Sequence, residues 1–531
     1  MNFDYKLLRK LRLGGTTDTL GLLFLFTTIF AFHPAVFMKQ GFYVNKTYIP
    51  PEIWKMITAA ISTTGGVLLA KRFISTMNGN GFFKSKINIQ SASECGQETK
   101  EGMLLGYIVD TGKPLYASQD DLVRHISIVG QSGVGKTVFG QLLMFQQIAK
   151  GGGLVFIAGK LDGLSLDELY RMAAYHGRQN DVLVINPGNP QFSNTYNPIL
   201  YGDPDEVADR IVALIPSTES DAGADHFKQA AKQGCTVLVA ALQKTGLAYT
   251  LIDLVILMQS RKSLISLEEM LPTDSLEREN LSIFLDQYKV PDKTGNKTID
   301  IKQLKKTFGG IVGRLFPFCT GQFKEIMNAA SPEVNLFEAM RANKIIYVTL
   351  PSDQMGSNLG KMFLGDAKTA FSRLQALSRE EKPNPPFLFF MDEAGSYPTE
   401  SMARLFEQNR SAKVIICAAY QSLADLKAVS PEFLQTIMGN TWIKVHFKVG
   451  PHEITEFFAD SISADIKVLN KAGEAAITIG GDKIYRVEIT KVELPTLSPA
   501  LAHFEKAKIN RHSMPFVQGI DLFAKILKQG E

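Results

Sequence analysis

Cysteine is scarce in this chain: Cys95, Cys235, Cys319 and Cys417 are the four among 531 residues, and no two form a C-x-x-C pair. That spacing excludes a zinc ribbon, a thioredoxin-like redox motif and a disulfide framework, and it fits a reducing compartment. A charge bias is lacking as well. Lys plus Arg number 57 against 53 Asp plus Glu, a formal +4, so any nucleic-acid surface must be local rather than a property of the whole chain. No internal repeat and no low-complexity segment is present. The length exceeds what one hydrophobic core usually organises, which implies two or three structural units.

Charge is absent most completely near the N-terminus. Residues 19–38, TLGLLFLFTTIFAFHPAVFM, carry no Asp, Glu, Lys or Arg, and their number is what an α-helix needs to cross a hydrocarbon core. A second stretch, 53–70, IWKMITAAISTTGGVLLA, holds only Lys55, one turn from its end, where a lysine can snorkel to the interface. Lys6, Arg9, Lys10 and Arg12 precede the first span and Lys71 and Arg72 follow the second. The positive-inside rule then expects a two-helix transmembrane hairpin within 1–75, both ends cytoplasmic and residues 39–52 on the other side. The uncharged run is too long for the h-region of a cleaved signal peptide.

After an expected strand at 125–129 comes GQSGVGKT: Gly130, Gln131, Ser132, Gly133, Val134, Gly135, Lys136 and Thr137. A segment of helical periodicity follows. This is G-x-x-x-x-G-K-T in strand-loop-helix context, the pattern of a phosphate-binding loop. Backbone N–H groups can wrap a phosphate only where side chains leave room, hence the glycines. Lys136 is expected to reach the β and γ phosphates of ATP, and Thr137 to offer its hydroxyl to Mg²⁺.

Such a loop requires an acid at the end of another strand. PPFLFFMDEAGSY supplies it: 387–391 is a continuous apolar run suited to a buried parallel strand, with Asp392 at its end for the Mg²⁺ shell and Glu393 to orient or deprotonate water. Another apolar strand, 414–419, ends at Tyr420 and Gln421, with Arg410 just upstream. Gln421 fits a γ-phosphate or water sensor, and Arg410 an arginine finger reaching a neighbouring subunit; both also fit plain polar packing.

No LSGGQ-type string of transport ATPases occurs, and the nearest approach to a guanine-reading N-K-x-D, Asn296 to Asp300, places its aspartate one residue late. Further strand-like runs at 154–158, 182–186, 345–350 and 442–447 alternate with helical segments, which implies an α/β fold with a mostly parallel, doubly wound sheet. EAAITIGGDKIYRVEI reads as a hairpin turning at Gly480, Gly481 and Asp482. Between the two parts of this nucleotide-binding region, 76–202 and 332–531, residues 203–331 read as an all-helical insertion. Within it Lys293, Lys297, Lys302, Lys305 and Lys306 form the densest basic cluster outside the N-terminal spans, fitting either phosphate contact or a solvated helix face.

Together the two spans, the P-loop, the helical insertion, the D-E pair and the following R-x-x-x-V-I-I-x-x-x-Y-Q-S resemble the TraD/TraG-type coupling proteins of type IV secretion and conjugation. SNTYNPIL at 193–200, NKIIYVTLP at 343–351 and MGNTWIKVHF at 438–447 add to the likeness. LPSDQMGSNLGKMFLGDAK looks closest to the Dot/Icm-type branch. The resemblance covers nearly the whole chain. It implies a homohexameric ring of RecA-like P-loop ATPase domains on the cytoplasmic side of the bacterial inner membrane, each with an all-helical domain facing the substrate. By motif it implies Lys136 and Thr137 for ATP and Mg²⁺, Asp392 and Glu393 for hydrolysis, Arg410 acting in trans and Gln421 sensing nucleotide. The partners implied are a relaxase bound to single-stranded DNA, or secreted proteins, and the secretion channel. Ala158 stands where the family often has an aspartate, so that role is open or passes to Asp162. Two rivals share the P-loop: an FtsK-like DNA translocase, and a membrane receptor that ATP switches without pumping.

Overall fold

A computed structural model of the chain describes residues 42–44, 47–49, 89–91, 102–159, 163–215, 222–291, 295–351, 353–397, 400–408, 411–451, 465–467, 469, 471–481 and 483–495. Both expected membrane spans lie outside the described residues. Among the described residues no helix is long and apolar enough to cross a membrane.

The core is an eleven-stranded sheet. Its strands are β1 (Gly102–Ile108), β2 (Pro114–Ser118), β3 (Ile126–Val129), β4 (Leu154–Ala158), β5 (Val182–Ile185), β6 (Ile345–Thr349), β7 (Phe387–Met391), β8 (Val414–Tyr420), β9 (Ile443–His446), β10 (Glu474–Ile479) and β11 (Ile484–Glu488). They lie in the order β2-β1-β11-β10-β9-β3-β8-β7-β4-β6-β5. From β9 to β5 every pairing is parallel, while β10 and β11 form an antiparallel hairpin on β9. This is the mostly parallel α/β sheet expected from the strand runs.

Parallel strands covered on both faces read as unbroken apolar runs because neither face meets water. β7 shows how. Side chains alternate across a strand, so Phe389 and Phe390 face opposite ways. Phe389 meets Phe363 and Phe371 of one helix, at 6.3 Å and 5.3 Å between ring centroids. Phe390 lies beside Gly140 of another helix, where an added Cβ would come within 2.4 Å of its ring. The second helix is α1 (Lys136–Ala149), which follows the P-loop; α2 (Gly163–Tyr175) packs on it.

Residues between β5 and β6 are mainly helical: α3 (Pro204–Val212), α4 (Ala222–Lys244), α5 (Leu251–Leu257), α6 (Arg261–Met270), α7 (Leu276–Asp286), α8 (Ile301–Leu315), α9 (Gly321–Met327) and α10 (Leu336–Arg341). The stretch expected to be all helical also holds an antiparallel hairpin, Lys289–Pro291 on Lys297–Ile299. Val290, Thr298 and Ile299 favour extended backbone, and Gly295 takes the positive φ (85°) that a tight reversal requires. Lys297 therefore sits on a strand, while Lys302, Lys305 and Lys306 ride on α8; Lys293 lies outside the described residues.

The helix that packs against Phe389 is α11 (Gln354–Ala376). It opens on Asp353, whose side chain accepts from the Gly356 N–H at 2.9 Å, a side-chain cap for one of the donors a helix start leaves unpaired. It is buried on most of its circumference, as a helix inside a large core must be.

Candidate functional site

Because β3, β8, β7 and β4 run parallel, their C-terminal ends share one edge of the sheet. That edge is where open α/β sheets bind ligands. It carries the P-loop after β3, Gln421 after β8, Asp392 and Glu393 after β7, and Ala158 and Gly159 at the end of β4. β8 lies between β3 and β7, so the acidic pair stands one strand away from the P-loop.

A cavity of about 300 Å³ opens there. Ser132, Gly133, Gly135, Lys136 and Thr137 line one side, and Asp392, Glu393, Ala158, Gly159 and Ser165 the other. The remaining P-loop residues anchor it. The Gly130 N–H donates to the Tyr420 carbonyl at 3.2 Å, the Gln131 N–H to the Lys448 carbonyl at 3.0 Å, and the Val134 carbonyl accepts from the Gly473 N–H at 2.8 Å. The expected eight-residue cradle thus divides into Gly130, Gln131 and Val134, which hold the loop, and five residues that face the cavity. Gly135 takes φ 117° just before Lys136, a backbone that L side chains avoid.

Lys136 is 7 % exposed. Its ammonium donates to the Gly130 carbonyl at 2.5 Å and to the Gln131 carbonyl at 2.9 Å, so the cation curls back over the loop. Asp392 follows β7, its N–H bonded to the Ile157 carbonyl at 2.9 Å. Its carboxylate accepts from the Glu393 N–H at 3.0 Å.

Glu393 has left-handed backbone, φ 50° and ψ 42°, which costs a non-glycine residue roughly 1–3 kcal/mol and persists only where the surroundings impose it. Three contacts do so. Gly159 leaves room, since a Cβ there would stand 2.7 Å from Glu393 Cβ and 3.1 Å from the Asp392 carbonyl oxygen. The Tyr397 hydroxyl donates to that same carbonyl at 3.0 Å. The Gln421 amide donates to Glu393 Oε1 at 3.0 Å.

Of the residues singled out in the sequence, Lys136, Thr137, Asp392, Glu393 and Gln421 come together here. Arg410 and Asp162 lie outside the described residues. Gly159, Ser165 and Tyr397 were not foreseen. Ser165 arrives from the first turn of α2, and only the A-G-S-Y string after the acidic pair contained Tyr397; no spacing rule marks either.

One ammonium, three hydroxyls and two carboxylates around a cavity of this size form a donor set that fits a phosphate chain with a hard cation. Magnesium commonly takes one or two protein carboxylates and completes its shell with water and phosphate. Among the described residues no group of three or more His, Cys, Asp or Glu side chains is placed to hold a metal by itself.

Residues 386–475, from β7 into β10, match the family described as the TraM recognition site of TraD and TraG. The type 4 coupling protein DotL of Legionella pneumophila is 25% identical over 418 residues, covering 69% of this chain and 51% of DotL. The chain thus spans about half the length of that curated relative. Among solved structures, the bacterial conjugative coupling protein TrwBdeltaN70 in its unbound form matches with a TM-score of 0.52 at 14% identity, over 79% of this chain and 96% of TrwB. TrwB in complex with a non-hydrolysable ATP analogue matches with a TM-score of 0.52 at 15% identity, over 79% and 97%. At such identities the likeness is one of fold. With the family match and the DotL relationship beside it, the chain is a relative of the type IV coupling proteins of the TraD and TraG type.

Proposed function

We propose that the chain is a membrane-anchored coupling ATPase that binds Mg²⁺ and ATP in the cavity between the P-loop and the acidic pair, and hydrolyses ATP there. The observation that carries this reading is the meeting of Lys136 and Thr137 with Asp392 and Glu393 around one cavity, with Gln421 hydrogen-bonded to Glu393.

The chemistry follows from the side chains. The N–H groups of Gly133 to Thr137 and the start of α1 receive phosphate oxygens, and Lys136 exchanges its two loop carbonyls for the β and γ oxygens. Thr137 and Asp392 would hold Mg²⁺, which would supply neutralisation of the charge on the transferred phosphoryl group. Glu393 takes the proton of the attacking water as the new P–O bond forms and the bond from γ phosphorus to the bridging oxygen breaks, leaving ADP and phosphate. Gln421 holds the carboxylate in place beforehand. Arg410 would act on the nucleotide of a neighbouring subunit.

At the level of the cell, the proposal places the chain in the bacterial inner membrane by spans at 19–38 and 53–70, with the ATPase region in the cytoplasm. There it assembles as a homohexamer, recruits a relaxase bound to single-stranded DNA, secreted proteins or both, and delivers them to a type IV secretion channel. The relationship to coupling proteins supports this.

The test is ATP hydrolysis by the detergent-solubilised protein with and without single-stranded DNA, beside Lys136→Ala. DNA-stimulated turnover that the substitution abolishes is the expected result. ATP binding without turnover under any condition would replace the motor with an ATP-switched receptor.

A further inference from the structure

Tyr397 touches two things at once. Its hydroxyl donates to the Asp392 carbonyl at 3.0 Å, and its Cβ and Cγ sit against Gly360 of α11, where an added Cβ would stand 3.1 Å and 3.2 Å away. The side chain is 1 % exposed. The backbone at Asp392 is therefore tied to α11 by a hydrogen bond at one end of a ring and a close contact at the other.

Farther along the same helix, Asp366 carries the second connection. Its carboxylate pairs with Arg210 of α3 at 3.2 Å and accepts from the Tyr196 hydroxyl at 2.8 Å. Arg210 also donates to the Thr369 hydroxyl at 3.1 Å and the Tyr201 carbonyl at 3.1 Å. Arg210 is 2 % exposed and Asp366 6 %. Gly365 makes the approach of α3 feasible, because a Cβ there would come 2.8 Å from Arg210 Cγ. Two strings that the sequence singled out, SNTYNPIL and LPSDQMGSNLGKMFLGDAK, thus meet at one buried ion pair. A buried pair fixes geometry more than it adds stability, since desolvation offsets most of the Coulomb attraction.

We propose that Tyr397 is a positioning residue that couples the Asp392–Glu393 turn to α11, and that α11 carries the position of that turn through Asp366 and Arg210 to α3, the first helix of the mainly helical region. This rests on the nucleotide reading of the cavity. A helix buried on most of its circumference moves as a unit, because close-packed surroundings leave discrete arrangements and no continuous deformation. A nucleotide that shifts Asp392 therefore shifts α3, and by linkage whatever binds the helical region alters the nucleotide site.

The experiment is amide hydrogen exchange of the full-length protein in detergent, with and without Mg²⁺ and a non-hydrolysable ATP analogue, whose affinity is measured on the same samples. In the wild type the analogue should slow exchange across α3 several-fold, roughly in proportion to the population it shifts. Tyr397→Phe removes one hydroxyl and Gly360→Ala wedges the ring from the helix. Both should bind the analogue within about twofold of wild type yet lose the protection at α3. Tyr196→Phe leaves the Arg210–Asp366 pair in place and is the control, which should keep the protection at α3. Binding with unchanged protection of α3 in Tyr397→Phe, or binding by the wild type with no response at α3, overturns the coupling. A wild type that binds no analogue is a different failure, overturning the nucleotide reading together with the inference built on it.

Discussion

Gln421 donates its side-chain amide to Glu393 Oε1 at 3.0 Å, joining the ends of β8 and β7. The bond reaches a residue whose backbone is already held in the left-handed region, so the amide settles which way the carboxylate faces. A general base acts only within hydrogen-bond reach of the proton it takes. Gln421→Ala should therefore lower kcat for ATP roughly 10- to 100-fold and leave KM within about twofold. Glu393→Gln should retain nucleotide and fall roughly 100-fold or more in turnover. Steady-state kinetics with a parallel binding titration separates the two; a rise in KM with kcat preserved would make Gln421 a binding residue instead.

Gly159 gives a steric counterpart. A methyl group there would meet Glu393 Cβ at 2.7 Å and the Asp392 carbonyl oxygen at 3.1 Å, and both belong to backbone held by β7 and Tyr397. Overpacking of this kind costs about 1–3 kcal/mol. Gly159→Ala should lower the unfolding free energy in urea titrations by that amount and reduce kcat more than it reduces ATP affinity, since the P-loop wall is untouched. Wild-type kcat in the folded variant would mean that the acidic turn has slack.

The strands at 154–158 and 387–391 were legible to the residue because each is buried on both faces and so is apolar throughout. The start of β3 was less so. The expected strand includes His125, but that residue takes φ 71° and precedes the strand. The P-loop and the acidic pair were legible because phosphate chemistry demands fixed residue types at short spacing. Gly159, Tyr397 and the Arg210–Asp366 pair were not. Each matters through a neighbour far away in the chain, and a close approach that only glycine permits or a buried arginine has no periodicity to reveal it.

Removal of divalent cation tests the shared role of Thr137 and Asp392. EDTA should abolish turnover, and Mg²⁺ should restore it. Thr137→Ala should raise the Mg²⁺ concentration required for half-maximal rate, because one oxygen ligand is lost. Lys136→Ala should instead weaken nucleotide binding at saturating Mg²⁺, by roughly the 2–3 kcal/mol that a hydrogen-bonded charge contributes. Equal Mg²⁺ dependence in wild type and Thr137→Ala would remove Thr137 from the cation site.

Two buried histidines make stability depend on pH. Burial holds His125 and His446 each down to about 4, and Lys444 adds to the depression at His446. His125 Nδ1 accepts the Ile416 N–H at 3.2 Å, a bond available only while that nitrogen is unprotonated. The unfolded chain binds these protons near pH 6.5 and the folded chain near pH 4, so stability is complete above 6.5 and is lost as pH falls toward 4. By pH 5 each histidine should have removed about 2 kcal/mol. Asp366 and Asp425, raised by burial, pull the other way, so the net slope alone does not identify the histidines. The difference between wild type and His125→Gln does, because glutamine keeps an acceptor and has no proton to gain. Urea midpoints between pH 7.5 and pH 5 should fall less steeply in the variant by about the contribution of one histidine. Parallel curves would mean that His125 binds its proton in the folded chain as readily as in the unfolded one.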